Sequence, residues 1–264
     1  MGVFKGPLRA EDLARAGVPF DDPQEECPHC GRQLDRAYYV SGGKVVLSLP
    51  EPCGCDGEAR AREAEEAERR SSEEKRRDDE RERRYKRAGI PKRFLGAQTE
   101  RREAIEFLAT FEERHGQGLY IHGAVGRGKT YEASAIAKEF VDAGYSVVFT
   151  TAAGMLESIK ETFDGSGSTA DAVARYTKCD VLVMDDLGKE ATREWSVNTI
   201  FMVLNARYEA MLPTVITSNF APDEIAEKIG RRGEREAADA IASRIAETCR
   251  PLCLAGPDRR TGKM

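Results

Sequence analysis

The sequence predicts an α/β protein in which a three-layer α/β/α domain follows a small metal-binding module and a charged linker helix. Three observations carry that expectation. Residues 123–130 read GAVGRGKT, between the apolar run Leu119–Ile121 and the helix-forming stretch Tyr131–Phe140. The apolar run Val181–Met184 ends in two adjacent carboxylates, Asp185 and Asp186. Two cysteine pairs, Cys27/Cys30 and Cys53/Cys55, enclose a hairpin-like segment near the start of the chain.

The chain has 264 residues, enough for one ordinary domain and a smaller one. Apolar residues make up 40% and charged residues 33%, and 41 basic against 46 acidic groups leave a net charge of -5. That balance neither requires nor excludes a nucleic-acid partner, so any such contact must come from local patches. No run approaches the roughly 20 apolar residues of a membrane span, and the opening MGVFKGPLRAEDL has no apolar signal core. A cytoplasmic location without membrane attachment is the expectation.

Residues 1–57 are read as a zinc-ribbon-like domain. Cys27-Pro28-His29-Cys30-Gly31 forms a knuckle, Ala37–Leu49 reads as a hairpin turning at Ser41, Gly42 and Gly43, and Cys53-Gly54-Cys55 returns the second thiolate pair. Four thiolates suit a closed structural zinc site, with His29 as an alternative ligand. Zinc-finger peptides gain about 10 to 16 kcal/mol from the metal, stability that so small a core does not otherwise supply. The bland alternative is four unligated thiols.

Residues 58–88 form the linker. Glutamates and arginines recur three or four places apart, which supports a solvated helix, and the lack of an apolar stripe argues against a coiled coil. Gly89, Ile90 and Pro91 break the helix and open the third region, 89–264. Ile90 and Phe94 are candidates for an apolar wall beside a nucleotide base, with ordinary core packing as the alternative.

In GAVGRGKT, glycine is needed at Gly123, Gly126 and Gly128 because backbone N–H groups must curl around a phosphate. Lys129 supplies a point charge to the β- and γ-phosphates and Thr130 a hydroxyl to Mg²⁺. Gly123, Ala124, Val125, Gly126, Arg127, Gly128, Lys129, Thr130 and Tyr131 together are the predicted nucleotide cradle. A strand ahead of the loop and a helix after it are the context that this chemistry demands.

Beyond the loop, a strand is expected over 146–150, a helix over Met155–Phe163, a flexible stretch at 164–168, a helix over Trp195–Met211 and a strand over Thr214–Thr217. The alternation implies a parallel sheet covered on both faces. The strand ending in Asp185 and Asp186 has no reason to carry acids unless they face a cleft. Asp185 is the expected Mg²⁺ partner and Asp186 a candidate general base, or else a cap on the turn at Leu187 and Gly188.

Five segments then point to a family. AGIPKRF at 88–94, GAVGRGKT, VLVMDDLG, PTVITSN ending at Asn219, and ASRI at 242–245 occur in the order of the DnaC/DnaI helicase-loader branch of the AAA+ ATPases, close to the IstB transposition helpers. The resemblance covers roughly 88–260. It implies that Asn219 is the sensor that holds the attacking water, and that Arg244 is an arginine finger for a neighbouring subunit's nucleotide. It implies no C-terminal helical lid, so no second sensor is assigned. It likens Met155–Phe163 to the element that contacts single-stranded DNA, with Lys160 as a phosphate contact; a plain core helix with Met155, Leu156 and Ile159 inward explains the same spacing.

On that resemblance the chain is expected to bind ATP, Mg²⁺ and Zn²⁺, to self-assemble, and to deliver a hexameric replicative helicase to single-stranded DNA. Hydrolysis is expected to be slow and partner-stimulated, because Asp186 is shorter than the glutamate found in many AAA+ enzymes. The cysteine module tips the choice away from an IstB-like transposition helper. A non-hydrolysing adaptor is the reading from another class, and a small-molecule phosphotransferase is disfavoured by the cysteine module, the spacer and the TSN signature.

Overall fold

The computed structural model describes residues 7–114, 116–165, 167–189, 194–230 and 235–259. The chain forms two compact units, 1–77 and 78–264.

In the first unit, α1 (Ala10–Arg15) precedes a hairpin of β1 (Arg36–Ser41) and β2 (Lys44–Pro50), closed by Gly42 and Gly43 as expected. Tyr38 and Leu13 are fully buried, and the Phe20 ring meets Tyr38 edge-on at 5.3 Å. The Tyr38 hydroxyl donates to Asp22 at 2.5 Å, so the polar end of this core residue is satisfied. A helix, α2 (Asp56–Arg87), runs through the residues read as a spacer, with exposed pairs such as Arg70–Glu66 and Lys86–Glu82 one turn apart.

The last residues of α2 belong to the second unit. Tyr85 is buried and donates to Asp142 at 2.6 Å, and the Ala88 carbonyl accepts from Phe149 N–H at 2.6 Å. The apolar stripe missing from the rest of α2 begins here, and Tyr85 is the buried residue of that helix.

The second unit is built on five parallel strands in the order β4–β5–β6–β3–β7: β3 (Gly118–His122), β4 (Val147–Thr151), β5 (Val181–Leu187), β6 (Thr214–Ser218) and β7 (Cys249–Cys253). Alternate side chains feed two cores. Leu119, Ile121, Val183 and Val215 face α3 (Arg102–Ala109) and α4 (Lys129–Asp142), where Phe107 and Phe140 stack edge-on. Tyr120, Leu182, Met184 and Ile216 pack in the other core with α5 (Ala152–Glu161), α6 (Thr169–Thr177), α7 (Glu194–Glu209), α8 (Ile225–Ile229) and α9 (Arg235–Thr248). Three layers result, as the sequence predicts. No helix among the described residues is long and apolar enough to cross a membrane.

Two details depart from the sequence reading. Ile90 is 3% exposed and packs in the core with Tyr85 and Ala88, so the core alternative holds for it. The helix placed at Met155–Phe163 begins at Ala152, because the Thr151 hydroxyl caps it by accepting from Gly154 N–H at 2.9 Å.

A different kind of staple joins α7 to the sheet. Arg207 is 1% exposed, and its guanidinium donates to Thr214 Oγ1 and to the carbonyls of Tyr176, Cys179, Asp180 and Pro213. Backbone carbonyls satisfy this buried cation.

Candidate nucleotide and metal sites

The GAVGRGKT loop leaves the end of β3 and enters α4 at Lys129. Gly123 has φ +144°, and a Cβ there would lie 2.5 Å from the Leu254 carbonyl. Gly126 has φ +81°, and a Cβ there would collide with the Asp258 carboxylate. Gly123 therefore excludes a side chain on backbone conformation and on space, and Gly126 on backbone conformation. The Lys129 ammonium is buried, donating to the carbonyls of Gly123 at 2.7 Å and Ala124 at 3.0 Å.

At the end of the loop, Thr130 Oγ1 lies 3.1 Å from both carboxylate oxygens of Asp185. Thr217 Oγ1 donates to the same carboxylate at 2.5 Å and accepts from Asp186 N–H at 2.9 Å. Burial holds the Asp185 carboxyl above its ordinary range, and the Thr217 hydrogen bond opposes that shift. Thr130 and Asp185 form the oxygen pair that could hold a hard divalent cation beside the loop.

Asp186 follows with φ +60° and pairs with Lys189 at 2.6 Å. Asn219 lies just past β6, and its Oδ1 is buried with no hydrogen-bond partner. An orphaned buried acceptor has a cost unless something in the cavity meets it.

Lys129, Thr130, Asp186 and Asn219 share one cavity of about 530 Å³, whose walls also include Val125, Gly126, Gly128 and Tyr131, while Asp185 and Thr217 are not among its lining residues. Phe94 and Arg93 close one side, and the Phe94 ring stands edge-on to Tyr131 at 6.2 Å. Their segment is tied to α4: Lys138 donates to the Ala97 carbonyl at 2.7 Å, Tyr131 accepts from Gln98 N–H at 3.1 Å, and Thr99 donates to buried Glu132. Among the cradle residues, Gly123, Ala124 and Arg127 belong to the loop but do not line the cavity.

Sequence reasoning missed three of the residues here. Arg259 lines the cavity, and its backbone N–H donates to the Gly126 carbonyl at 2.9 Å. Thr217 orients Asp185, and Lys189 holds Asp186. Only Thr217 left a signal, as the first residue of the TSN run that closes the strand.

Arg244 stands elsewhere. On α9 its guanidinium lies 4.1 Å from the Tyr208 ring centroid, and its Nε donates to Asn205 Oδ1 at 3.2 Å. It does not line the loop's cavity.

In the first unit, the thiols of Cys27, Cys30, Cys53 and Cys55 lie within 4.8 Å of one another, and His29 is not part of the group. Sulfur separations are 3.2, 3.6 and 3.8 Å for Cys53–Cys27, Cys30–Cys53 and Cys27–Cys55. A tetrahedral ion with bonds of about 2.3 Å spaces its sulfurs about 3.8 Å apart, so the set fits zinc. The backbone N–H of His29, aided by Cys53, lowers the pKa of the Cys27 thiol to about 6, while the same contact with Cys27 raises that of Cys53. His29 instead packs against Gly57, where an added Cβ would lie 2.7 Å from its own.

The strand order, the glycine loop and the carboxylate strand facing it define an α/β P-loop domain of the AAA+ type. Residues 95–262 match the family described as IstB-like ATP binding protein, and the chain belongs to that family. It is 31% identical over 161 residues to the replicative helicase loader DnaI of Bacillus subtilis, covering 59% of this chain and 51% of that protein. It is 28% identical over 111 residues to the replicative helicase loader DnaC of Escherichia coli, covering 42% and 45%. A putative ATP-binding protein in an insertion sequence of Mycobacterium tuberculosis is 26% identical over 153 residues, covering 56% of this chain and 57% of that protein. The chain thus spans about half the length of the two loaders. The crystal structure of DnaI matches with a TM-score of 0.56 at 27% identity, covering 63% of this chain and 95% of that one. The DnaC helicase loader shares the fold, with a TM-score of 0.54 at 24% identity over 62% of this chain and 100% of that one.

Proposed function

We propose that this protein is an ATP-dependent loader that binds a hexameric replicative helicase in the cytoplasm and delivers it to single-stranded DNA. The observation that carries the reading is the four-thiol cluster ahead of a P-loop domain in which Thr130, Asp186 and Asn219 line one cavity and Asp185 meets Thr130. Similarity to DnaI and DnaC supports the loader branch in particular.

In this reading, residues 1–57 bind zinc through Cys27, Cys30, Cys53 and Cys55 and grip the helicase, residues 58–88 are the spacer, and residues 89–264 form the ATPase domain. The loop from Gly123 to Tyr131 cradles ATP, Lys129 neutralises its β- and γ-phosphates, and Thr130 and Asp185 hold Mg²⁺. Bound magnesium supplies charge neutralisation along the phosphates. Asp186 polarises the attacking water and the free Asn219 Oδ1 orients it. Arg244 reaches a neighbour's nucleotide on assembly, its stack on Tyr208 holding the guanidinium at the α7–α9 face. Hydrolysis is slow until partners bind.

Helix α5 buries Met155, Leu156 and Ile159, which leaves Lys160 on its exposed face, and Phe163 just beyond it is 57% exposed. A cation and an aromatic ring so placed suit a single-stranded backbone and a stacked base.

The test is the ATPase rate of the full chain alone, with single-stranded DNA, and with the replicative helicase of the same cell. Stimulation with complex formation supports a loader. Turnover indifferent to both points to delivery of a transposase, a second reading favoured by the insertion-sequence relative. Nucleotide binding without turnover points to a switched adaptor.

A further inference from the structure

We propose that Lys189 is a further phosphate-binding residue of this cavity, and that Asp186 and the γ-phosphate compete for it. The inference rests on the nucleotide-site reading above and adds a residue to it.

Lys189 follows β5 at the end of a tightly packed turn. A Cβ on Gly188, which has φ +92°, would come within 3.0 Å of the Phe220 ring and 3.2 Å of Ile225. Packing at Gly188 therefore fixes where the next residue emerges. Lys189 Nζ then lies 2.6 Å from Asp186 Oδ1, and both residues line the cavity with Lys129 and Asn219.

Placement separates the roles of the two lysines. Lys129 rises from the loop that wraps the phosphate chain, where the Gly123 and Ala124 carbonyls hold its ammonium. Lys189 arrives from a different element, just past the strand end that carries Asp186, and lines the same cavity as Asn219. Asp186 and Asn219 mark where a water would attack the terminal phosphate, so the phosphate within reach of Lys189 is the γ.

The ion pair is suited to exchange. Its side chains are 43% and 33% exposed, and ion pairs that open to water are weakly held. A terminal phosphate carries more charge than one carboxylate and offers several acceptor oxygens, so it outcompetes Asp186 for the ammonium. The Asp186 backbone stays in place meanwhile, because its N–H is anchored on Thr217. Transfer of Lys189 to the γ-phosphate thus leaves the Asp186 carboxylate free for water only when a triphosphate is bound. A diphosphate has no group at that position, and the pair persists.

The experiment measures affinity of the full chain for ADP and for the non-hydrolysable triphosphate AMP-PNP, each with Mg²⁺, by calorimetry. The variants are Lys189→Met, Lys189→Arg, Asp186→Asn and the Lys189→Met/Asp186→Asn double. Lys189→Met is expected to weaken AMP-PNP binding about tenfold and ADP binding less than about twofold. Lys189→Arg is expected to retain the triphosphate preference. Asp186→Asn is expected to strengthen AMP-PNP binding more when Lys189 is present than in the Lys189→Met background, because only then does it release a competitor. Equal effects of Lys189→Met on the two nucleotides, or an Asp186→Asn effect identical in both backgrounds, overturns the inference while wild-type binding leaves the nucleotide site standing. A wild-type chain that binds neither nucleotide removes the site reading and this inference together.

Discussion

The Thr130 hydroxyl sits 3.1 Å from both oxygens of Asp185, joining the start of α4 to the end of β5 across 55 positions of sequence. Thr217 donates to the same carboxylate from β6 and ties the Asp186 backbone to it. Two neighbouring strand ends and one helix thereby deliver their polar groups to one point.

Thr130→Val keeps the shape of the side chain and removes the hydroxyl. Magnesium-dependent strengthening of nucleotide binding is expected to fall about 10-fold to 100-fold, the usual cost of losing a group that serves a metal site. Titrations with and without chelator measure it, and an unchanged magnesium effect rules Thr130 out as part of the cation site.

Asn219→Ala removes the orphaned buried acceptor at the cavity wall. Nucleotide affinity is expected to stay within about threefold while kcat falls about 100-fold, the pattern of a group whose hydrogen bond forms at the reacting centre. Equal losses in affinity and rate would show a binding role instead.

Arg207→Met removes the staple at the α7–β6 junction. Four backbone carbonyls and one hydroxyl lose their donor in a buried setting, so unfolding free energy is expected to drop by about 3 kcal/mol or more. Denaturant titration of the full chain reads the shift, and a loss below about 1 kcal/mol would show that water replaces the guanidinium.

Zinc removal is expected to act on the first unit. The full chain should carry one zinc ion, and Cys27→Ser or a strong chelator should release it and unfold residues around Tyr38, as seen in near-ultraviolet dichroism and metal analysis. Full retention of the metal in a Cys27→Ser/Cys53→Ser variant would exclude this cysteine set.

Local pattern made much of this legible in the sequence. GAVGRGKT needs its glycines because backbone must approach a phosphate, and that demand is written in consecutive residues. The apolar run ending at Asp185 and Asp186 and the paired cysteines are equally local, as is the alternation that divides Leu119 and Ile121 from Tyr120 between two cores. Helices α1, α3, α6, α8 and α9 lie outside the sequence expectations, since segments this short have little helical stability of their own and tertiary packing decides them.

Tertiary structure decided the rest. Strand order, the meeting of Thr130 with Asp185, the docking of Arg259 on the loop, the burial of Arg207 among carbonyls and the stack of Arg244 on Tyr208 all join residues distant in sequence. The Lys189–Asp186 pair is close in sequence, yet it forms because the packed turn at Gly188 and the +60° φ of Asp186 aim both side chains into one cavity. A sequence by itself specifies which residue types a local conformation requires. Which distant side chains then converge is set by how the layers pack, because only burial and shape decide what faces what.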